Sequence, residues 1–390
     1  MSEALHILPT WNFQRGSFKD AGKISGEALV HSGYVKRRMA CYGCPIGCHR
    51  YVELNQGPYK GHYCGGPEYE TLSSLGSGCG VSDMEYIVEA NRLCNVLGMD
   101  TISAGGAVQW LFECHSRELD FDREGLDLSW GNGQAVVELI RKIAFREGIG
   151  DLLAKGTKQA AEELGQESFK WAVQARGLEQ SRVDTRGALG YALAFAVNPR
   201  GPDHLHTECG AEFGTSEQDR QVIAMITGDR KYADPTCEDK RAEIVRWHED
   251  VYAITEGLGL CVFTSTAGYF MTASLMAEFF QAATGRPMDE GRLMLLGRRI
   301  VTLEKCFNVR EGLTRADDTL PWRMLHERPL DNPDAHNSPE RLNRMLDQYY
   351  QLHGWDLETS WPYRETLVSL ELEDVAEQLD RLGKLPRREK

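Results

Sequence analysis

Apolar residues in this chain return every three or four positions, and most of the runs they form stop at a glycine, which is the pattern of a mainly helical protein. In the clearest run, Met84, Ile87, Val88, Leu93, Cys94 and Leu97 share a helical period. Ser82 followed three residues later by Glu85 reads as a capping box and Gly98 as the stop, giving a helix from Asp83 to Leu97. Further helices are expected over 134–147, 151–164, 241–256, 268–284 and 289–307. Strand signals are few. Tyr51 to Leu54 and Phe169 to Val173 are the best of them, too little to build a doubly wound sheet. A chain of 390 residues accommodates two domains, and the boundary is placed near residue 170, giving helical domains over 1–170 and 171–390. Loops rich in Gly, Pro and charge lie at 57–70, 176–190, 198–214 and 308–323, where functional groups are expected.

Charge and composition narrow the function classes. Forty-four Lys and Arg against 58 Asp and Glu leave a net charge of −14, and such an acidic surface repels phosphate backbones, so nucleic acid is not expected as a partner. The long uncharged run at 257–277 is interrupted by Thr264, Ser265, Thr266, Thr272 and Ser274, which argues against a membrane span. The first residues lack a basic segment followed by an apolar one, so a signal peptide is not expected and a cytoplasmic location is. Eleven cysteines, an odd number scattered along the chain, do not suggest a disulfide framework. Some of these thiols are expected to bind metal.

The strongest local signal is Cys41-Tyr-Gly-Cys44-Pro-Ile-Gly-Cys48. Three thiolates within eight residues can wrap three corners of an iron-sulfur cube, a fourth coming from elsewhere in the chain. Zinc is the main rival, although no second Cys-x-x-Cys or His knuckle follows, and a loop of coincidental thiols is the bland alternative. A weaker feature is an internal echo: Asn95-Val-Leu-Gly-Met-Asp100 and Glu256-Gly-Leu-Gly-Leu-Cys261 each follow a helical run and share a glycine, an apolar residue and a terminal polar or ligating residue.

With these motifs in view, the chain resembles the C-terminal part of the tungsten or molybdenum aldehyde ferredoxin oxidoreductase family. The resemblance runs through Leu8-Pro-Thr-Trp-Asn-Phe13, Lys23-Ile-Ser-Gly-Glu27, the Cys41/Cys44/Cys48 loop, Gly66-Pro-Glu-Tyr-Glu70-Thr and Ala90-Asn91-Arg-Leu-Cys-Asn-Val-Leu-Gly-Met-Asp100. It continues through Arg176-Gly-Leu-Glu179, Arg200-Gly-Pro-Asp-His204-Leu, Leu258-Gly-Leu-Cys261, Phe307-Asn-Val-Arg-Glu-Gly312, Asp317-Asp-Thr-Leu-Pro321 and Gly354-Trp-Asp356. It implies a mainly α fold of two helical domains with little β structure, resembling domains 2 and 3 of the family. It also implies a tungsten or molybdenum ion held by the dithiolenes of two pterins, beside a [4Fe-4S] cluster that passes electrons to ferredoxin or a similar iron-sulfur carrier.

Carried over residue by residue, the resemblance assigns the two pterin loops to Asn95, Met99 and Asp100 and to Glu256, Leu260 and Cys261. Cys261 becomes the fourth cluster ligand beside Cys41, Cys44 and Cys48. Asn95 and Glu256 stand where the family usually has Asp; a pterin reads a carboxylate by paired N–H donors, which Glu256 can accept and Asn95 can match with only one oxygen. Glu70 and His204 are the catalytic candidates, a carboxylate and an imidazole suited to acid-base work on a hydrated carbonyl. Asp203 is expected to orient His204, with His206 close by in sequence. Cys64 in the Gly-rich loop is a thiol of interest. Arg310 and Glu311 are expected to form a local ion pair. The family's intersubunit metal site would use Glu89, but Arg92 stands where the second ligand is expected, so no metal is anticipated there.

Family members begin with a further, mostly β domain that cradles the pterins, and this chain starts where that domain ends. A separate subunit supplying the base, a truncated product and a chain that keeps only the cluster are the three readings. The expected function is the cluster-bearing, active-site-lining part of an anaerobic oxidoreductase that converts small-molecule aldehydes to carboxylic acids. A non-catalytic [4Fe-4S] electron-transfer subunit and a family reductase of aromatic thioesters are the alternatives.

Overall fold

A computed structural model describes residues 2–387. Helices take up 53% of the residues and strands 5%, so the chain is mainly α, as its periodicity and its family resemblance imply. It forms two compact units: Met1–Gly187 with Leu320–Asn337, and Ala188–Thr319 with Ser338–Lys390. The break therefore falls between Gly187 and Ala188 rather than near 170, and a later segment returns to the first unit. Arg323, on a short helix in that segment, is the reason: its guanidinium is fully buried against Glu113, 2.5 Å away, and also donates to the Asn12 carbonyl. A buried guanidinium needs its partners, and these lie on the N-terminal part of the chain.

The first unit is built on three helices, α1 (Met84–Leu97), α2 (Thr101–Ser116) and α3 (Gly133–Phe145). Ile87, Val108, Trp110, Leu139 and Leu75 are buried in its core. The helix expected over Asp83 to Leu97 forms, but its cap is Asp83, which accepts the Glu85 N–H at 3.0 Å. Glu85 instead takes the Tyr34 hydroxyl. The run expected as one helix over 151–164 divides into Ile149–Leu153 and Thr157–Leu164, because buried Glu179 accepts both the N–H and the hydroxyl of Thr157 and starts the second piece afresh. The strand expected over Phe169 to Val173 does not form. Ser168–Trp171 is a tight turn whose carbonyls go to side chains: Trp110 donates to the Ser168 oxygen and Asn12 to that of Trp171.

A three-stranded antiparallel sheet lies in the same unit: β1 (Val35–Met39), β2 (His49–Glu53) and β3 (Tyr63–Gly65), in that order. It includes the strand read at Tyr51 to Leu54.

The second unit contains α4 (Leu189–Val197), α5 (Arg241–Gly257), α6 (Ala273–Thr284), α7 (Glu290–Glu311) and α8 (Pro339–His353). A Cβ on Gly297 would stand 2.3 Å from the Asp250 carbonyl oxygen, so α7 can lie this close to α5 only with glycine there. Val251, Ile254, Met276 and Leu293 close a core between α5, α6 and α7. The α4 N-terminus is buried, and Glu212 accepts the N–H groups of Gly190 and Tyr191 while pairing with buried Arg241. No helix among the described residues is long and apolar enough to cross a membrane.

Candidate functional site

The three closely spaced cysteines lie on the loop that joins β1 to β2, where Met39 and His49 are the last paired residues. The loop is shaped by charge: Arg38 donates to the carbonyls of Ile46 and Gly47, and Arg50 also reaches Gly47. Cys41 and Cys48 are exposed and Cys44 half-buried. The backbone N–H groups of Gly47 and Ile46, with help from Arg38, hold the Cys44 thiol below its ordinary pKa. Buried cysteines behave oppositely. Burial pushes Cys64 up to about 11 and Cys79, Cys94 and Cys306 to about 12. Solvent-facing sulfurs in an amide-lined loop suit thiolate ligation, whereas the core thiols, Cys64 among them, do not. Cys261 is also exposed, on the second unit. Among the described residues, no three His, Cys, Asp or Glu side chains come close enough together to hold a metal ion.

The internal echo has a common backbone form. At the end of α1, Gly98 is left-handed at φ 71° and the Met99 N–H returns to the Cys94 carbonyl at 2.9 Å. At the end of α5, Gly259 has φ 69° and the Leu260 N–H returns to Thr255 at 2.9 Å. The next residue in each loop is extended: Asp100 at φ −73°, ψ 132°, and Cys261 at φ −77°, ψ 130°. Each stands at the N-cap position of the following helical turn, Asp100 with a side-chain cap and Cys261 without one. In both loops a helix is closed by a glycine that bonds back and a new turn then begins. Exposure matches as well, with Asn95 and Glu256 exposed, Met99 and Leu260 half-buried, and Asp100 and Cys261 exposed.

These loops offer different donors and acceptors. Asn95 donates to the Gly65 carbonyl at 3.3 Å, and Asp100 accepts the Ser103 N–H through one carboxylate oxygen. Glu256 presents an exposed carboxylate on the wall of a cleft. A Cβ added to Gly98 or Gly259 meets nothing within 4 Å, so both turns are open to a ligand's approach.

Glu70 lies in the first turn of an irregular helical stretch that begins at Tyr69 and includes a π-turn at Leu72–Gly76. Its Oε2 accepts the backbone N–H of Arg182 at 2.9 Å, and the neighbouring Tyr69 hydroxyl donates to the Arg182 carbonyl at 2.8 Å. Arg182 is in turn anchored by Ser74, Gln109 and the Ile102 carbonyl. His204 is half-buried on the loop after α4. Its Nδ1 is 3.9 Å from Asp203, whose other oxygen holds Arg200. His206 is a paired imidazole. Its Nε2 lies 2.8 Å from Glu304 on α7, a residue whose importance no local spacing revealed.

Two further expectations concern neighbouring charges. Arg92 makes a two-pronged ion pair with Glu89, at 2.7 and 2.8 Å, and His62 binds the same carboxylate. Arg310 pairs with Glu311 at 3.0 Å.

Fold and loops define a helical two-unit protein with an exposed three-cysteine hairpin and two matching helix ends. Comparison with known proteins identifies the class. Residues 1–372 match the family described as aldehyde ferredoxin oxidoreductase, domains 2 and 3, and the chain belongs to that family. It is 35% identical over 354 residues to a tungsten-containing aldehyde ferredoxin oxidoreductase of Thermococcus kodakarensis, covering 90% of this chain and 55% of that protein. A protein of Pyrococcus furiosus named aliphatic sulfonate oxidoreductase, WOR-like subunit, is 27% identical over 391 residues, 96% of this chain and 57% of the relative. The chain thus spans little more than half the length of the curated relatives it matches. Among solved structures, the active-site complex BamBC of benzoyl coenzyme A reductase, with bound 1,5-dienoyl-CoA, shares the fold at a TM-score of 0.73 and 23% identity, over 99% of this chain and 60% of that one.

Proposed function

We propose that this chain is the cluster-bearing, active-site-lining part of a tungsten or molybdenum bis-pterin oxidoreductase that oxidises aldehydes to carboxylic acids. The observation that carries this reading is the shared geometry of the two helix-end loops, one bearing Asp100 and the other Cys261. Cys41, Cys44, Cys48 and Cys261 would hold the [4Fe-4S] cluster. Asn95, Met99 and Asp100, with Glu256, Leu260 and Cys261, would hold the two pterins. A domain or partner subunit supplying the rest of the pterin cradle, and ferredoxin or a similar carrier, complete the proposal.

Oxidation of an aldehyde by water releases two electrons and two protons as the acid forms; the metal-pterin group, when bound, supplies the electron acceptor. The protein residues handle the protons. Glu70, oriented by the Arg182 amide at Oε2, takes a proton from the attacking water. His204, beside Asp203, moves the second proton toward solvent.

The test is anaerobic purification with any partner retained, followed by metal analysis and assay of aldehyde-dependent ferredoxin reduction. About four irons with about one tungsten or molybdenum per chain, and turnover with an aldehyde, are expected. Iron without the heavier metal would point to the electron-transfer subunit. The heavier metal with reduction of an aromatic thioester and no aldehyde turnover would point to the other alternative.

A further inference from the structure

The three-stranded sheet of the first unit carries a charge opposite to that of the chain around it. Residues 33–62 contain five Lys and Arg, at 36, 37, 38, 50 and 60, against one acid, Glu53, in a chain whose net charge is −14. Two of these cations work inside the hairpin: Arg38 and Arg50 hold the carbonyls of Ile46, Gly47 and His49. The other three, Lys36, Arg37 and Lys60, are exposed.

Strand register gathers the outward groups into a row. Arg37 on β1 pairs with Tyr51 on β2, and Glu53 on β2 pairs with Tyr63 on β3, so these four side chains share one side of the sheet. Val52 and Cys64, paired on the other side, are buried in the core. Within the row the Arg37 guanidinium lies 5.4 Å from the centre of the Tyr51 ring, and the Tyr51 and Tyr63 rings are 5.7 Å apart. An arginine laid over a tyrosine keeps its charge in water while its stem and the rings offer apolar contact. His49, on the same side, stands 3.4 Å from the exposed Glu68. The same hairpin continues past Met39 and His49 into the thiol loop, where Tyr42 is exposed beside Cys41.

We propose that this side of the sheet, with the tip of the thiol hairpin, is the docking surface for a small acidic electron-carrier protein of the ferredoxin class. The inference rests on the cluster reading above and adds where the carrier sits and what holds it there. Charge selects the occupant. A cationic patch in an acidic chain draws a compact anionic protein to one place, and repulsion from the remaining surface disfavours other orientations. An extended polyanion such as nucleic acid would have to lie against the acidic surroundings as well. Arg37, Tyr42, Tyr51 and Tyr63 supply contact area of the residue types that protein interfaces concentrate. A few cations and a modest contact area give weak, readily reversed association, which suits a carrier that must leave after each visit.

Docking can be read without turnover. The full chain, purified anaerobically with whatever accompanies it, is titrated by calorimetry with an oxidised, acidic [4Fe-4S] ferredoxin, and saturable binding is expected. Arg37→Glu combined with Lys60→Glu should weaken it about tenfold or more, with bound iron and melting temperature staying those of the parent. Arg37→Gln with Lys60→Gln, which removes the charges without reversing them, should fall in between. Lys158→Glu with Arg292→Glu, the same change of charge at exposed positions on other helices, should leave affinity unchanged. Raising salt from about 50 to about 300 mM should weaken binding by the parent and much less by the Arg37/Lys60 Glu variant. Absence of saturable binding, equal weakening by the distant charge swaps, or affinity indifferent to salt would overturn the inference. Binding of a DNA duplex that obeys the sheet variants, with no ferredoxin binding, would overturn it too and assign the surface to nucleic acid. The two readings fail separately. Ferredoxin binding that obeys the sheet variants, in a protein carrying iron but no tungsten or molybdenum, sinks the aldehyde reading and leaves the surface; aldehyde turnover with a dye acceptor, in a protein that binds ferredoxin equally with and without the sheet cations, sinks the surface alone.

Discussion

The backbone N–H of Arg182 donates to Oε2 of Glu70 across 2.9 Å, joining two residues 112 positions apart. Arg182 is itself buried and anchored through its guanidinium, so the amide is a fixed donor and the carboxylate a positioned acceptor. Because the donor is backbone, a substitution at position 70 can keep the bond while changing the acid-base chemistry.

Glu70→Gln is therefore expected to retain iron, heavier metal and fold, since the amide oxygen can still accept from Arg182. Turnover should fall at least about a hundredfold, the ordinary cost of losing a general base. Near-normal steady-state rates would remove Glu70 from catalysis.

Serine in place of Cys41, Cys44, Cys48 or Cys261 should each lower bound iron and the broad visible absorption of the cluster. Cys64→Ser should not, because burial favours its neutral thiol. Iron loss in the Cys64 variant alone would redirect the ligand assignment.

Arg323→Leu removes one of the two guanidinium groups that pair with buried Glu113, leaving Arg117 and the Asn12 amide to hold it. Leaving a buried charge wholly uncompensated costs about 3–5 kcal/mol, and with Arg117 still paired the loss is expected to be below that. Chemical denaturation should show that loss, with Leu320–Asn337 becoming the first segment cut by protease. A variant as stable as the parent would show that the pair does not hold this segment.

Acid should weaken the second unit through His248. Burial lowers its pKa to about 4, and its two nitrogens lie 2.8 Å from the Ile244 carbonyl and 2.9 Å from the Tyr269 hydroxyl. The Ile244 oxygen can only accept, and the Tyr269 oxygen already accepts the Ala211 N–H, so neutral imidazole satisfies the network. Between pH 6.5 and 4 the unfolded chain binds a proton that the folded one refuses, so stability falls as pH falls, by at most about 3 kcal/mol, and is fully present above 6.5. Thermal melts of His248→Gln should lose that part of the pH dependence; an unchanged slope would assign the acid sensitivity elsewhere.

Much of this fold is legible from local spacing. Amphipathic helices such as α1 and α3 announce themselves because one face meets water and the other the core, which writes a 3.6-residue period into the sequence. The buried helices hide. In α2 every residue from Ala104 to Cys114 is buried, and α4 is buried from Leu189 to Ala196, so neither has a wet face to give it a period. The hairpin thiols and the paired helix-end loops are likewise local. Each depends on residues within a few positions of one another, and the left-handed turns at Gly98 and Gly259 favour glycine.

What spacing could not disclose is every relation that closes over a long stretch of chain. His206 meets Glu304 and Arg323 meets Glu113 at separations of 98 and 210 residues. Such pairs arise only when burial forces a charge to find its partner, and that choice is made by packing. The sequence alone determined the helical class, the thiol loop and the two matching turns. Tertiary structure alone decided where the units divide, what holds Glu70, and which side chains meet across the sheet, because desolvated charges and cross-strand neighbours exist only in the folded chain.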